Sequence, residues 1–500
     1  MTKISSRDAN ILIFIFAGSA LIYEMVLAST LVFLFGDSIF YFSLTIAFFI
    51  LFMGLGSSAS VWFRKNSLSW LVVAEVLVSL LGGLCGLIIL WVAGHTKDGY
   101  MVSCAALVLT FFIGFGVGLE IPILFEQIET QTEPRFGKFL MFDYLGALVG
   151  AILFSLFLFP KMDAIGSALA VGIFNLITIF VFVFRYSRGF ALPMAYKVIV
   201  LSLFLIEVGI LSRRHSIQAD IDSQIFQVSA RTQVLNSFRT RYQKVMISLT
   251  PAEDVDAIHR KKVVAASGVA AETPWISVYL NNYTQSFAPL GSLTDFYHHA
   301  FVHPAMLLSE HRGRVLILGG GDGLPGKEVN KYSDVETVVT VDLDGEWVDF
   351  AKSDPRMRTH NFDSLMDPRT EIIIDDAFHW VRMTKKKFDV IFVDFPEGID
   401  FPLARSYSLQ FLKDLKRLLN DGGVISFQTD SFNNPVYWSV VKTILAAGYS
   451  IIPHRSLEFG DESYGFILAS KEKKSLENFE SKADAYPFIN SRMLFPPYLI

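Results

Sequence analysis

The chain has 500 residues, of which 52% are hydrophobic and 14% aromatic, and its mean hydropathy is +0.43. This composition is too apolar for an ordinary soluble enzyme, and the apolar excess lies before residue 212. A net charge of −5 offers no basic surface for many phosphates, which argues against nucleic acid as a partner. The two cysteines, Cys85 and Cys104, both lie in apolar stretches, which excludes a disulfide framework and a thiolate metal site.

Seven apolar runs in the first two-fifths of the chain are long enough to cross a bilayer. The first run is longer than the core of a signal peptide and further runs follow it, so cleavage is not expected. Small residues recur in Gly54–Ser60 and Gly146–Ala151, a pattern that allows close helix packing. We therefore predict a multi-span α-helical membrane bundle over residues 1–212. The seven runs are Asn10–Phe35, Ser38–Phe63, Ser69–Ala93, Met101–Phe125, Phe139–Pro160, Ala164–Phe184 and Pro193–Leu211.

Acidic residues occur inside these apolar runs. An ionised carboxylate in hydrocarbon is costly, so each acid is expected to face the bundle interior or an interface. One interpretation is a path for cations or protons, and the other is a set of protonated or interfacial carboxyls. Glu120 favours a functional role, because Pro122 frees backbone groups beside it. The acids are Glu24, Glu75, Glu120, Asp143 and Glu207.

From Arg213 onwards the sequence pattern changes to strand-like alternation and turns. The segment Ile225–Leu280 contains the runs VMISL and WISVYL, which predict a small β-rich subdomain within residues 213–300. After His303, strands and helices alternate, which predicts a doubly wound, mainly parallel α/β sheet of Rossmann-like type over residues 301–500. The helices are Leu409–Leu419 and Tyr437–Ala447, and the strands are Val315–Leu318, Thr337–Val341, Glu371–Ile374, Val390–Val393, Gly423–Gln428 and Gly465–Ala469.

The run Val315–Gly326, VLILGGGDGLPG, predicts a ligand-binding turn. Its apolar start is typical of a buried parallel strand, and Pro325 suits the first turn of a following helix. The glycines, including Gly319 and Gly321, let the backbone turn tightly against a ligand. Asp342 follows about twenty residues later at the end of the next strand, a spacing that indicates a nucleotide-type ligand.

Acids fall at the carboxyl ends of four predicted strands, where ligands bind in such sheets: Asp322, Asp342, Asp376 and Asp394. A carboxylate after the second strand can accept hydrogen bonds from both ribose hydroxyls, and Asp376 stands where it can accept one from an adenine amine. We therefore predict a nucleoside site at this edge.

A short acidic loop, VDFPEGID, follows the fourth strand and brings Glu397 and Asp400 next to Asp394. Carboxylates there suit a cationic amine. A nearby ionised carboxylate can hold an ammonium group and then accept the proton that the nitrogen must lose before it attacks. The loop therefore predicts an amine site at the reactive end of the ligand.

At these residues, over about Tyr242–Lys471, the chain resembles the spermidine synthase family of polyamine aminopropyltransferases. The N-terminal half is similar to the multi-span domain fused to some bacterial members. The resemblance is carried by the YQ pair at Tyr242 and Gln243, YLNN at Tyr279–Asn282, the YH pair at Tyr297 and His298, GGGDG, VDLD at Val341–Asp344, DDAF, VDFPEG, SYS around Tyr407 and YGFILASK.

The resemblance implies transfer of an aminopropyl group from decarboxylated S-adenosylmethionine to a diamine such as putrescine. Methylthioadenosine would be the by-product, no metal or cofactor would be needed, and the soluble half would form a homodimer. It assigns Gln243 to the nucleoside thioether, His298 and Asp322 to the amine and the aminopropyl arm, Asp342 to the ribose, Asp376 and Ala377 to the adenine, Asp394 to the catalytic base, and Glu397 and Tyr407 to the amine channel.

Two other functions are compatible with the residues. A methyltransferase would use the same sheet for undecarboxylated S-adenosylmethionine, although Asp322 would repel the carboxylate of that donor. A polyamine transporter or sensor with a non-catalytic soluble domain is suggested by the membrane acids Glu24, Glu120 and Asp143.

The sequence predicts a multi-pass cell-membrane protein and gives two indications of its orientation. Basic residues in the N-terminal tail and in the second, fourth and sixth loops place these on the cytoplasmic side, so seven spans would put the C-terminal domain outside. Arg213 and Arg214, and a donor made in the cytoplasm, favour a cytoplasmic catalytic domain. If the catalytic domain is cytoplasmic, one of the seven predicted spans is miscounted or re-entrant.

Overall fold

The chain forms two compact units, Met1–Gln227 and Val228–Ile500, in the computed structural model. The boundary between the units lies between Gln227 and Val228, which is later in the chain than the predicted boundary at 212/213. The reason is that a further helix, Arg214–Ile225, packs against the third helix of the first unit. The structure describes residues 4–35, 38–65, 67–96, 98–128, 136–186, 194–225, 229, 231–257, 260–261, 263–264, 268–281, 283–293, 296–395, 405–431, 434–456, 464–477, 479–487 and 489.

The first unit is helical, as the apolar runs predict. Helix α1 packs against α5, α2 against α4, and α3 against α4 and α6. The fold class expected for this half is confirmed. The helices are α1 (Ser6–Phe35), α2 (Ser38–Ala59), α3 (Ser67–Thr96), α4 (Gly99–Gln127), α5 (Phe136–Leu153), α6 (Phe159–Arg185), α7 (Met194–Ser212) and α8 (Arg214–Ile225).

Five described helical stretches are long and apolar enough to cross a membrane, compared with seven predicted runs. The fifth stretch, Phe136–Arg185, contains both the fifth and the sixth predicted runs. Its backbone leaves helical geometry at Asp163, where φ is 58°, and the Asp163 carboxylate accepts a hydrogen bond of 2.9 Å from the Gly166 amide. This kink lies between the two predicted runs. The seventh run coincides with α7.

Glycines bring α1 and α5 into backbone contact, as the GALVGA pattern predicts. A Cβ atom at Gly150 would lie 2.3 Å from the carbonyl oxygen of Gly18, and one at Gly146 would lie 2.1 Å from that of Phe14. Hydrogen is therefore the only side chain that fits at these crossings. By contrast, a Cβ atom at Gly137, near the start of α5, would meet open space.

The second unit begins with a four-stranded antiparallel sheet of order β1-β2-β3-β4. Its buried face, including Val245, Ile247 and Val278, packs against Trp347 and Met357 of the following α/β domain. The predicted β-rich subdomain is thus present. Its strands are β1 (Gln233–Arg239), β2 (Lys244–Thr250), β3 (Trp275–Leu280) and β4 (Tyr283–Pro289).

The α/β domain contains a seven-stranded sheet of order β10-β11-β9-β8-β5-β6-β7. Strands β5 to β9 are parallel, and β10 and β11 are antiparallel. The order reverses between β5 and β8, which is where ligands bind in doubly wound sheets. The strands are β5 (Arg314–Gly319), β6 (Thr337–Asp342), β7 (Thr370–Ile374), β8 (Phe388–Asp394), β9 (Leu419–Ser431), β10 (Ser450–Arg455) and β11 (Tyr464–Ser470).

Helices cover both faces of this sheet, which explains the continuous apolar runs in its central strands. Leu316 and Leu318 belong to the core on one face, and Val315 and Ile317 to the core on the other. The helices are α9 (Phe296–Leu308), α10 (Leu324–Val329), α11 (Gly345–Ser353), α12 (Pro355–Asn361), α13 (Ala377–Met383), α14 (Leu409–Leu418), α15 (Pro435–Ala446) and α16 (Phe479–Asp484).

Strand β10 was not predicted from the sequence. Its run SIIPHR contains Pro453, which cannot donate a hydrogen bond to a neighbouring strand. The strand lies at the edge of the sheet, where one side needs no partner. The tertiary position therefore permits a residue that argues against a strand when the sequence is read alone.

Substitution of Gly150 tests the close contact between α1 and α5. We expect Gly150→Val to destabilise the helical unit by about 1–3 kcal/mol, because the added atoms overlap the Gly18 backbone. Thermal unfolding of the detergent-solubilised full-length protein measures this. Gly137→Val on the same helix is the matched control and should unfold like the wild type; equal behaviour of the two variants would contradict the close contact.

Candidate active site

The glycine turn after β5 lies at the carboxyl end of the parallel strands, between β6 and β8. Gly319, Gly320 and Gly323 have φ angles of 85°, 70° and 81°, which side chains rarely adopt. Gly319 is paired with Asp394 of β8, and a Cβ atom at Gly319 would lie 2.1 Å from the Asp394 carbonyl oxygen. The turn therefore holds two predicted site residues at one edge of the sheet.

Asp342 ends β6 with its carboxylate bound to the same turn. One oxygen accepts a hydrogen bond of 2.9 Å from the Gly321 amide, and the other accepts one of 2.8 Å from the Asp344 amide. A Cβ atom at Gly321 would lie 2.6 Å from the Asp342 carboxylate. Burial raises the pKa of Asp342 to about 6, against the lowering effect of these two bonds. The carboxylate is thus ionised at neutral pH and protonated in mild acid.

Asp394 ends β8 and accepts a hydrogen bond of 2.9 Å from the Tyr297 hydroxyl. Burial, followed by the charge of Asp394, raises the pKa of Tyr297 well above its ordinary value, so the phenol stays a donor. The Tyr297 ring is fixed by edge contacts with Tyr464 and Phe466 at 5.1 and 5.3 Å. The predicted site residue His298 is 3% exposed, and its ring centre lies 4.7 Å from that of Tyr297.

Gln243 lies in the turn between β1 and β2 and is linked to the end of β6 through Asp344. The Gln243 amide donates to an Asp344 carboxylate oxygen at 2.9 Å, and the Thr240 hydroxyl donates to the same atom at 2.6 Å. Asp344 also caps α11 by accepting a bond from the Trp347 amide. The role of Asp344 was not predicted, although the second acid of the VDLD motif was a signal for it.

Asp376 stands at the end of β7, where the neighbouring Asp375 amide donates to the Asp342 carbonyl at 3.1 Å. The Asp376 carboxylate caps α13 through the Phe378 amide at 2.8 Å and pairs with Arg405 at 2.8 Å. The Arg405 guanidinium lies over the Phe378 ring, 4.2 Å from its centre. Ala377 is 8% exposed and its side chain is part of the core. The ion pair with Arg405 was not predicted.

Of the remaining predicted site residues, the structure describes Asp322 and Tyr407 but not Glu397. Asp322 is 8% exposed, accepts a bond of 2.8 Å from the Leu324 amide and interacts electrostatically with Asp342. Tyr407 is buried, and its hydroxyl donates to the Gln428 carbonyl at 2.7 Å. Glu397, with the rest of the acidic loop after Phe395, lies outside the described residues.

One buried group of His and Glu side chains has the composition of a metal site. The ligand atoms of His299, His303 and Glu328 lie within 4.8 Å of one another. Lys331 and His303, however, contact the Glu328 carboxylate at 2.5 and 3.0 Å. Burial alone would raise the pKa of Glu328, but the His303 hydrogen bond and the charges of Lys331 and Lys327 lower it to about 2. The group is therefore an ion-paired part of the core.

The described strand ends can hold a polar ligand and a cation side by side. Asp342 offers an acceptor to hydroxyl groups beside a turn that only glycines can form. Asp394 offers a carboxylate that Tyr297 orients, suited to an ammonium group or to proton transfer. The reversal of strand order between β5 and β8 places these two carboxylates on either side of the Gly319 turn.

The chain is similar to known proteins, first over part of the second unit. A family model described as the spermine/spermidine synthase domain matches residues 294–457. These residues include α9, the glycine turn and β5 to β9.

Named relatives align over most of the chain. Polyamine aminopropyltransferase 1 of Streptomyces coelicolor is 30% identical over 467 residues, which cover 91% of this chain and 82% of that protein. Polyamine aminopropyltransferase 2 of Aquifex aeolicus is 30% identical over 492 residues, which cover 95% of this chain and 90% of that protein. Both alignments are long enough to include the helical unit. Among solved structures, spermidine synthase from Thermotoga maritima is 22% identical with a TM-score of 0.40, covering 51% of this chain and 78% of that chain.

Substitution of Gly321 tests the contact between the glycine turn and Asp342. We expect Gly321→Ala to destabilise the protein by about 1–3 kcal/mol, because the new methyl group would lie 2.6 Å from the carboxylate and 2.9 Å from Val348. Thermal unfolding of the full-length protein gives the measurement. Gly326→Ala in α10 is the matched control, since its nearest neighbour is at 3.4 Å. A Gly321 variant as stable as this control would refute the contact.

Proposed function

The chain belongs to the polyamine aminopropyltransferase family, whose members are transferases, and from that premise we propose decarboxylated S-adenosylmethionine as donor and putrescine or a related diamine as acceptor. The products would be spermidine, or the matching polyamine, and methylthioadenosine. The observation that carries the proposal is the position of Asp394, held by Tyr297 and paired with Gly319 at the end of a central strand.

The donor side of the proposal rests on the glycine turn and Asp342. An adenosyl group bound at this edge would present its ribose hydroxyls to the Asp342 carboxylate, which is ionised at neutral pH. Gln243, fixed through Asp344, would lie towards the thioether end, and Asp376 with Ala377 would contact the adenine. Asp376 already pairs with Arg405, so donor binding would share or displace that ion pair.

The acceptor side rests on Asp394. His298 and Asp322 would contact the amine and the aminopropyl arm of the donor, and Glu397 and Tyr407 would line the amine channel. An ammonium group held by carboxylates first gives its proton to Asp394, and the freed nitrogen lone pair then attacks the propyl carbon bonded to sulfur. The new C–N bond forms as the C–S bond breaks, and the bonding electrons neutralise the sulfonium. The protein supplies alignment and one base.

Purified full-length protein, incubated with decarboxylated S-adenosylmethionine and a panel of diamines, tests the proposal when the products are identified by mass. Formation of methylthioadenosine together with a polyamine longer by one aminopropyl group is the expected result. Methylation of the acceptor with undecarboxylated S-adenosylmethionine would instead support a methyltransferase. Binding of the donor without turnover of any amine would favour a sensor or transporter.

Substitution of the proposed base separates chemistry from binding. We expect Asp394→Asn to lower kcat by about 10²–10⁴-fold, because an amide cannot accept the ammonium proton, while methylthioadenosine still binds. Single-turnover assays and calorimetry provide the two measurements. Asp421→Asn is a control, since Asp421 is an exposed acid paired with Lys471 at the surface. Retention of kcat in the Asp394 variant would reject it as the base.

Donor affinity should depend on pH through Asp342. The Asp342 carboxyl is protonated below a pKa of about 6 and then no longer accepts two hydroxyl bonds, so affinity for methylthioadenosine falls as pH decreases. We expect binding about tenfold weaker at pH 5 than at pH 7.5, measured by titration calorimetry. Asp342→Asn should bind weakly at both values. A wild-type affinity that is constant over this range would contradict the assignment.

Localisation and assembly complete the proposal. The five apolar helices suit a multi-pass cell-membrane protein. We infer that the catalytic unit faces the cytoplasm, because the donor is made there and Arg213 and Arg214 follow α7. The family resemblance further suggests a homodimer formed through the catalytic unit.

A further inference from the structure

Five helices of the membrane unit bring ionisable or polar side chains to one buried region. Helix α3 contributes Glu75 and Ser79, one turn apart on the same face. The other helices contribute one large group each. The large side chains and their exposed fractions are Tyr23 of α1 at 0%, Glu75 at 1%, Glu120 of α4 at 2%, Asn175 of α6 at 1% and Glu207 of α7 at 0%.

Glu207 shows that this region is built into the helix packing. Its neighbours on α7, Ile206 and Val208, are 52% and 38% exposed, as expected of a lipid-facing surface, whereas Glu207 is fully buried. A Cβ atom at Gly83 of α3 or Gly172 of α6 would lie 2.7 Å from a Glu207 carboxyl oxygen. The carboxyl group is therefore enclosed between two helix backbones and does not reach towards the lipid headgroups.

Several buried polar atoms of this region have no hydrogen-bond partner by geometry, although Ser79 donates to the Glu75 carbonyl and Ser19 donates to Asn175 Oδ1. Both carboxyl oxygens of Glu75 and of Glu207, Oε1 of Glu120, the Tyr23 hydroxyl and the Asn175 Nδ2 atom are all buried without one. The Tyr23 hydroxyl interacts electrostatically with all three glutamates, so these groups form one cluster. The Tyr23 hydroxyl and the Asn175 amide show that the unpartnered groups of this region are not carboxyls alone.

Among the residues that the structure describes, the electrostatic neighbours of this cluster are acidic or neutral. The Glu75 and Glu120 carboxyls interact with each other, and Asp143 of α5 interacts with Glu120. Cys85 of α3 faces Tyr23. An ionised carboxylate without a counter-ion costs several kcal/mol in such an environment, and two adjacent ones also repel each other.

A proton is the smallest ligand that can remove the free-energy cost of these buried carboxylates. It neutralises a carboxylate and turns it into a donor for a neighbouring carboxyl oxygen, the Tyr23 oxygen or a water molecule. On the sides formed by Gly83 and Gly172, the Glu207 carboxyl lies against helix backbone, so a hydrated or organic cation does not fit between them there. The geometry thus favours a proton over a metal ion or an amine.

We propose that Glu75, Glu120 and Glu207, together with Tyr23, form a proton-binding site inside the membrane unit, in which the carboxyl groups hold protons that exchange with water. Such a site gives the helical unit a function of its own, separate from aminopropyl transfer. Intramembrane carboxyls of this kind act as proton relays in pumps and transporters.

Infrared difference spectra of the full-length protein in phosphatidylcholine vesicles, recorded between pH 6 and pH 9, test the site. The carbonyl stretch of protonated carboxylic acids should be present at pH 6 and decrease at high pH. Glu75→Gln, Glu120→Gln and Glu207→Gln should each remove part of this signal, and the triple variant most of it. Glu126→Gln is the matched control on α4, because its side chain is 41% exposed and pairs with Arg64.

A second measurement uses the wild-type protein and so does not depend on variant folding. Dicyclohexylcarbodiimide modifies protonated carboxyls in apolar surroundings, and peptide mass spectrometry should locate the label on the three glutamates, with less label at high pH. Absence of both the infrared signal and the label would overturn the proposal, as would a signal unchanged in the triple variant. Loss of the signal on addition of sodium ions or putrescine at constant pH would instead identify a cation site.

Discussion

The catalytic unit depends on the approach of the glycine turn to two strand-end carboxylates. A side chain at Gly319 would collide with the backbone of Asp394, and one at Gly321 would collide with the Asp342 carboxylate. Because the turn occupies this space without side chains, the ends of β5, β6 and β8 lie side by side around it. In the proposed reaction, the donor and the amine acceptor would be held by different carboxylates at these adjacent positions.

The residues that support this crevice come from distant parts of the chain. Tyr297, from the helix before the first parallel strand, orients Asp394, and Gln243, from the small antiparallel sheet, is fixed by Asp344. The small sheet packs against α11 and α12, so its turn between β1 and β2 is positioned by the core of the α/β domain. Removing the small sheet would therefore remove one wall of the proposed donor site.

The helical unit, Met1–Gln227, uses glycines in two different ways. Its helices approach closely through Gly18, Gly146 and Gly150 on one side and through Gly83 and Gly172 on the other. The first set allows backbone contact between apolar helices, and the second encloses an acid. At the first set, the missing side chains let two helix backbones touch. At the second set, they leave room for the Glu207 carboxyl between two helices.

The sequence by itself determined the two-part architecture, the parallel strands and the acids at their ends, because hydrophobic period and turn residues are local properties. It also identified the family through motifs in a fixed order. The tertiary structure decided which side chains meet: the Tyr297 bond to Asp394, the Arg405 pair of Asp376, the link from Gln243 to Asp344, and the enclosure of Glu207. These contacts join residues that are far apart in the chain, so no local pattern encodes them. Edge strand β10 was missed for the same reason, since only its place in the sheet makes Pro453 acceptable.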